Sequence, residues 1–264
     1  MKKYITVAAL LAAGTAFANA DVVAVFNCGR SENTGYMDQT KGWKDVLVSS
    51  TDNQNISGAT AGSITLSSTG NSLSGTGPAG SFSAAQGAST SPYAIPDELE
   101  TLSQGVFGDS SYDTLWGGSI NSWTAKNTTL TLSGLAQNTD YTVYLFCARA
   151  NGESGNPANW STTTDSVSAN WSVWTVADNA ATKAEGSNTV QFDGDANGKN
   201  ASIVEVTFNT GDATSVSFST GDAAKFTLNG MVVDQGSTIP EPSAFGLLAG
   251  LGALALVASR RRRK

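Results

Sequence analysis

The stretch Thr129-Leu130-Thr131-Leu132-Ser133-Gly134-Leu135-Ala136-Gln137-Asn138-Thr139-Asp140-Tyr141-Thr142-Val143-Tyr144-Leu145-Phe146-Cys147 decides the fold class. Its first five residues alternate, with Leu130 and Leu132 on one side, which is the period of a half-buried strand. Gly134 and Asn138-Thr139-Asp140 are turn formers. Tyr141–Cys147 then runs apolar on both faces, the pattern of a strand with neighbours on each side. Strand, turn and central strand within nineteen residues predict an antiparallel sheet.

Outward from this stretch the same rhythm recurs. Strand-like runs cover Val22–Phe26, Lys44–Ser49, Ser63–Ser67, Trp171–Val176, Thr189–Phe192, Ile203–Phe208, Ser215–Ser219, Lys225–Leu228 and Met231–Val233. Asn229-Gly230 is a two-residue hairpin signal. Asn209-Thr210-Gly211-Asp212-Ala213 and Ser219-Thr220-Gly221-Asp222-Ala223 form a short repeat, each preceding an apolar run. One helix is predicted from Pro96 to Leu102, with acidic residues in its first turn and Gly105 as its stop. Residues 57–91 are rich in Gly, Ser, Ala and Thr, which reads either as weak strands with long turns or as a flexible loop.

Composition excludes several chemistries. The 264 residues contain no histidine and two cysteines. Histidine-based triads, histidine metal ligands and Cys₄ zinc sites are therefore out. Residues 21–239 hold eight Lys/Arg against twenty-one Asp/Glu, a net charge near −13. Such a surface repels nucleic acid and anionic lipid.

The segment from Thr129 to Arg149, the opening Val22–Gly29 with Trp43 downstream, and the closing Leu228–Val233 together resemble exported jelly-roll domains similar to galactose-binding and carbohydrate-binding modules. The resemblance implies an all-β, jelly-roll-type antiparallel β-sandwich over residues 21–238. It transfers no ligand residues, because such modules bind through variable loops.

The two ends read as processing segments. Met1-Lys2-Lys3, the apolar run Tyr4–Phe17 and Ala18-Asn19-Ala20 form a signal peptide, residues 1–20, for the Sec machinery. Residues 239–264 carry Pro240-Glu241-Pro242, an uncharged apolar stretch over 243–259 and the basic end 260–264. The basic end predicts a single span with its C-terminus in the cytoplasm. This tail resembles the PEP-CTERM sorting signal of Gram-negative bacteria. That resemblance implies cleavage by an exosortase near Pro240, Glu241 and Pro242, delivery to the cell surface or matrix, and association with exopolysaccharide and biofilm. The membrane is then met only through the tail, before processing, as in other chains whose hydrophobic tail is removed.

Candidate chemistry is sparse. Phe107-Gly108-Asp109-Ser110-Ser111 resembles the first block of SGNH esterases with Ser110 as nucleophile, but that mechanism needs a base this chain lacks, so the segment reads as a turn. Asp193, Asp195 and Asn197 match the first half of a calcium loop, with Val204 where the bidentate Glu belongs; the competing reading is a solvated turn. Cys28 and Cys147 are the candidate disulfide of an exported protein, against a buried free pair. Trp116, Trp123 and Trp160 sit among Gly, Ser and Asn and are the candidate sugar platforms, against plain core packing. Trp171 and Trp174 differ by three and so take opposite faces of a strand. No carboxylate pair carries a glycosidase motif. The expectation is a non-catalytic, cofactor-free surface or matrix component. The alternatives are a carbohydrate-binding module and, below it, a hydrolase that works without histidine.

Overall fold

The computed structural model describes residues 21–31, 41–49, 51, 54–70, 73–76, 97–108, 110–122, 127–148, 158–177, 179–190, 201–221 and 226–236. In chain order the strands begin with β1 (Asp21–Arg30), β2 (Lys44–Val48), β3 (Ala59–Ala61), β4 (Ile64–Thr69) and β5 (Leu73–Thr76). Helix α1 (Asp97–Phe107) and a 3₁₀ turn at Asp113–Gly117 follow, then β6 (Ser119–Ser122), β7 (Thr129–Ser133) and β8 (Asp140–Cys147). Next come β9 (Ala158–Asn159), β10 (Ser161–Thr162), β11 (Ala169–Ala177), β12 (Ala180–Glu185) and β13 (Thr189–Val190). The last four are β14 (Ser202–Asn209), β15 (Ser215–Ser219), β16 (Phe226–Leu228) and β17 (Gly230–Gln235).

A seven-stranded sheet, in the order β12-β11-β14-β8-β17-β1-β2, faces a five-stranded sheet, β10-β15-β7-β4-β3. A three-stranded sheet, β16-β6-β5, and the pair β13-β9 complete the set. The chain passes repeatedly between layers: β7 to β8, β14 to β15, and β16 to β17 all change sheet. Pairing is antiparallel except for β1 and β2, which run parallel. The result is the expected jelly-roll-type sandwich. As the doubly apolar run predicts, β8 is central, with β14 on one side and β17 on the other.

Alternation along the strands builds the core between the sheets. Leu130 and Leu132 of β7, Val216 and Phe218 of β15, and Ile64 and Leu66 of β4 meet Tyr141, Val143, Leu145, Val204, Val206 and Val233 of the large sheet. A second core lies on the other face of the large sheet. Leu99 and Leu102 of α1 and Leu115 and Trp116 of the 3₁₀ turn cover Val25, Phe146, Ile203 and Val232 there.

Two local expectations change in the fold, and an open alternative is decided. Gly105 does not stop the helix, which continues to Phe107. A Cβ on Gly105 would overlap the Ala181 methyl of β12, so glycine is what lets the helix lie close on the sheet. The stop is Gly108, at φ +79°, whose N–H donates to the Gln104 carbonyl, the usual left-handed helix end. Second, Asn229-Gly230 is not a hairpin turn. β16 pairs with β6 while β17 inserts between β1 and β8, so these two residues form a corner between sheets. Asn229 is fully buried there. The Ala148 N–H donates to its Oδ1 at 2.7 Å, and its Nδ2 donates to the Gly118 carbonyl at 2.9 Å. Third, the described part of 57–91 forms β3, β4 and β5, and residues 77–91 lie outside the described residues.

The Leu135–Asp140 turn is held as its residue types require. Gly134 and Asn138 take positive φ, where glycine and asparagine are favoured. The Ala136 N–H donates to the Tyr141 hydroxyl at 2.9 Å, locking the turn to the strand that follows.

Candidate functional site

The outer face of the large sheet changes character along its length. On β8 the outward residues run Asp140, Thr142, Tyr144, Phe146. On β14 they run Asn209, Thr207, Glu205, Ile203, and on β11 Asn170, Ser172, Trp174, Val176. Each series passes from polar to apolar in the same direction. The apolar end lies under α1 and the 3₁₀ turn. The polar end is open and forms a hollow of about 450 Å³ lined by Asp140, Thr142, Ser168, Asn170, Thr207 and Asn209 with the adjoining backbone. That volume falls within the range of small-ligand sites, roughly 300–1,000 Å³.

A rim of aromatic rings separates the two halves. Trp43 stacks on Tyr112 at 5.8 Å, Tyr112 meets Phe107 at 4.4 Å, and Phe107 meets Tyr144 edge-on at 4.9 Å. Lys41 sits 4.6 Å from the Trp43 ring centre and donates to the Ser111 carbonyl. On the far side Trp174 donates its indole N–H to Glu205 Oε2 at 2.7 Å. The Lys183 ammonium lies 5.4 Å from the Trp174 ring centre. These rings pack against the outer core yet remain partly exposed.

The charges of the face are largely spent on one another. Lys183 Nζ lies 2.8 Å from Glu205 Oε1 and 3.1 Å from Glu185 Oε1. Ser172 donates to Glu185 Oε2 at 2.7 Å, and Asn209 donates to Asp140 Oδ1 at 2.8 Å. Burial alone would lower the Lys183 ammonium, but its bonds to Glu205 and Glu185 outweigh this and raise it. The Ser172 hydroxyl, then Lys183, hold the Glu185 carboxyl below its ordinary value. Burial, followed by the charges of Glu205 and Asp234, pushes the Tyr144 hydroxyl up. Burial and then Asp21 raise the Asp234 carboxyl.

Several residues singled out in the sequence lie elsewhere. Trp116 and Trp160 are 2% and 0% exposed. Trp116 packs on Phe146 and donates its N–H to Ser103 Oγ at 2.8 Å, and Trp160 belongs to the core between the sheets. Neither offers a ring face to a sugar. Trp123 lies outside the described residues, as do Asp193, Asp195 and Asn197. Among the described residues no group of three or more His, Cys, Asp or Glu side chains could hold a metal. Cys28 and Cys147 are free and buried. Both lie beside the corner: the Cys28 N–H donates to the Asn229 carbonyl, and on either side of Cys147 the Phe146 carbonyl accepts from the Asn229 N–H and the Ala148 N–H donates to Asn229 Oδ1. Burial raises both thiols, Cys28 further through Cys147 and Asp45. The Ser110 carbonyl accepts from the Asp113 N–H in a turn, the plainer reading of the esterase-like segment. Trp171 and Trp174 take opposite faces: Trp171 packs on the inner core and Trp174 on the outer.

The sequence reading missed the hollow and its rim. The signal was present in three polar-to-apolar gradients on β8, β11 and β14. Reading it requires knowing that these strands are neighbours in register, which no one of them states.

Fold and site together define an antiparallel jelly-roll-type β-sandwich with a helical layer over half of one sheet. Residues 238–263 of this chain match the PEP-CTERM protein-sorting motif. It is therefore a sandwich that carries an exosortase sorting signal, marking it for export and for anchoring in the membrane before cleavage. Among the described residues no helix is long and apolar enough to cross a membrane. No curated protein matches the chain in sequence. Among solved structures it is similar to the CBM22-1–GH10 modules of the N-terminal endo-1,4-β-D-xylanase 10B of Clostridium thermocellum, complexed with xylohexaose. There the identity is 10% and the TM-score 0.24, over 47% of this chain and 22% of that one. A second is TmCBM61 in complex with β-1,4-galactotriose, at 15% identity and a TM-score of 0.11, over 42% of this chain and 70% of that one.

Proposed function

We propose that this chain is a non-catalytic component of the cell surface or extracellular matrix, exported through Sec, cut by an exosortase and associated with exopolysaccharide. The observation that carries the reading is the sorting motif over residues 238–263. The charge arrangement supports the non-catalytic part. Both oxygens of Glu205 are taken by Trp174 and Lys183, and the chain has no histidine to act as a general base.

The test follows the full chain in its host. With exosortase present, a shortened protein is expected outside the inner membrane and enriched with the matrix. Without exosortase, or with Pro240→Ala and Glu241→Ala together, the tail-bearing form is expected to stay with the membrane. Unchanged size and location in both cases would overturn the reading. A second reading, a carbohydrate-binding module, is favoured by the open hollow with its aromatic rim.

A further inference from the structure

We infer that the open half of the outer sheet face binds one linear, uncharged polysaccharide chain, laid along β11 from the hollow to the aromatic rim. The inference rests on the carbohydrate-binding reading and supplies it with a site and a ligand class. From Asn170 to Trp174 is four residues, about 13 Å at the strand rise; between them Ser172 is buried beneath its bond to Glu185, so a ligand chain passes over the Glu185–Lys183 pair, and the length suits two or three consecutive sugar rings and not a single one. Its floor is Thr142, Thr207 and Asn170, short neutral side chains that both donate and accept hydrogen bonds. Its far end holds Tyr144 and Trp174, whose partly exposed rings suit the apolar faces of sugars. Trp174 is already fixed by Glu205 and Lys183, so little rotamer freedom remains to be lost on binding.

Charge selects the class. Among the described residues the cation on the strip is Lys183, which two carboxylates hold, so a polyuronate would meet acidic groups and an ammonium already engaged. A cationic glycan gains little either, because Glu205, Glu185 and Asp140 are engaged in internal hydrogen bonds. Hydroxyls need neither, and match the floor.

The test is affinity electrophoresis of the processed protein as its host releases it. The gels contain a neutral glucan, galactan, mannan or xylan, or a polyuronate. Retardation by at least one neutral polymer and none by the polyuronate is expected. Trp174→Ala should weaken it by about tenfold, the scale of truncating an aromatic anchor. Asn170→Trp, which fills the floor from an exposed position, should abolish it with an unchanged melting temperature. That variant keeps the test sound if Trp174→Ala misfolds. Retardation only by the polyuronate would overturn the ligand class while leaving carbohydrate binding in place. Neutral binding that survives Asn170→Trp would overturn the site alone. No retardation by any polymer would overturn both the inference and the reading beneath it.

Discussion

The two faces of the seven-stranded sheet are built from alternate residues of the same strands, yet they solve different problems. On the inner face, Tyr141, Val143 and Leu145 of β8 and Val204, Val206 and Phe208 of β14 are all buried against the second sheet. On the outer face the neighbours one residue along grade from Asp140 to Phe146 and from Asn209 to Ile203. On these two central strands the inner face is apolar from Tyr141 to Leu145 and from Val204 to Phe208, under the second sheet. Among the described residues the cover of the outer face is α1 and the 3₁₀ turn, and its polarity follows where that cover ends. One face therefore carries stability, while the other divides between stability and the hollow.

The comparison predicts unequal costs. The largest belongs to the inner face. Phe218 is fully buried and touches Phe208 and Trp171. Phe218→Ala should cost about 3–5 kcal/mol, read as a large fall in the urea midpoint. A cost under about 1 kcal/mol would mean that the inner face is not the main core. The middle effect belongs to the helical cover. Gly105→Ala forces a methyl against Ala181 and should cost roughly 1–3 kcal/mol, as overpacking does. Adding Ala181→Gly should recover much of it in a double-mutant cycle, whereas simple additivity would show that the helix does not dock there.

The smallest effect lies on the open half. The Asp234 carboxyl is raised by burial in the folded state, so between its unfolded and folded values the native protein binds more protons than the unfolded chain. Stability contributed by the protonated acid is present below that window and is lost as pH rises through it. Asp234→Asn should flatten this slope and stabilise by a few tenths of a kcal/mol at neutral pH, the group being partly exposed and screened. Melting temperatures from pH 4 to pH 7 check it, and a stability that rises with pH only in the natural protein would reverse the assignment.

How much could be read in advance differs by residue. Leu130, Leu132 and the run Tyr141–Cys147 announced strands and their order of burial because alternation is local. Gly105 and Asn229-Gly230 carry the common local signals of a helix stop and a hairpin. They became a helix–sheet contact and a corner between sheets because β12 and β17 arrive from elsewhere in the chain. Trp116 and Trp160 looked like loop residues beside Gly, Ser and Asn, yet tertiary packing covered them.

By itself the sequence determined an all-β chain with a sorting tail, and the absence of histidine chemistry. These depend on residue identity and short-range period, which need no partner to be recognised. Only the tertiary structure decided which of the described tryptophans reach solvent, that Cys28 and Cys147 are buried as free thiols, and that Thr142, Asn170 and Thr207 share one hollow. Those facts are set by strand order and register between residues far apart in sequence, and the pattern within a single strand carries no record of its neighbours.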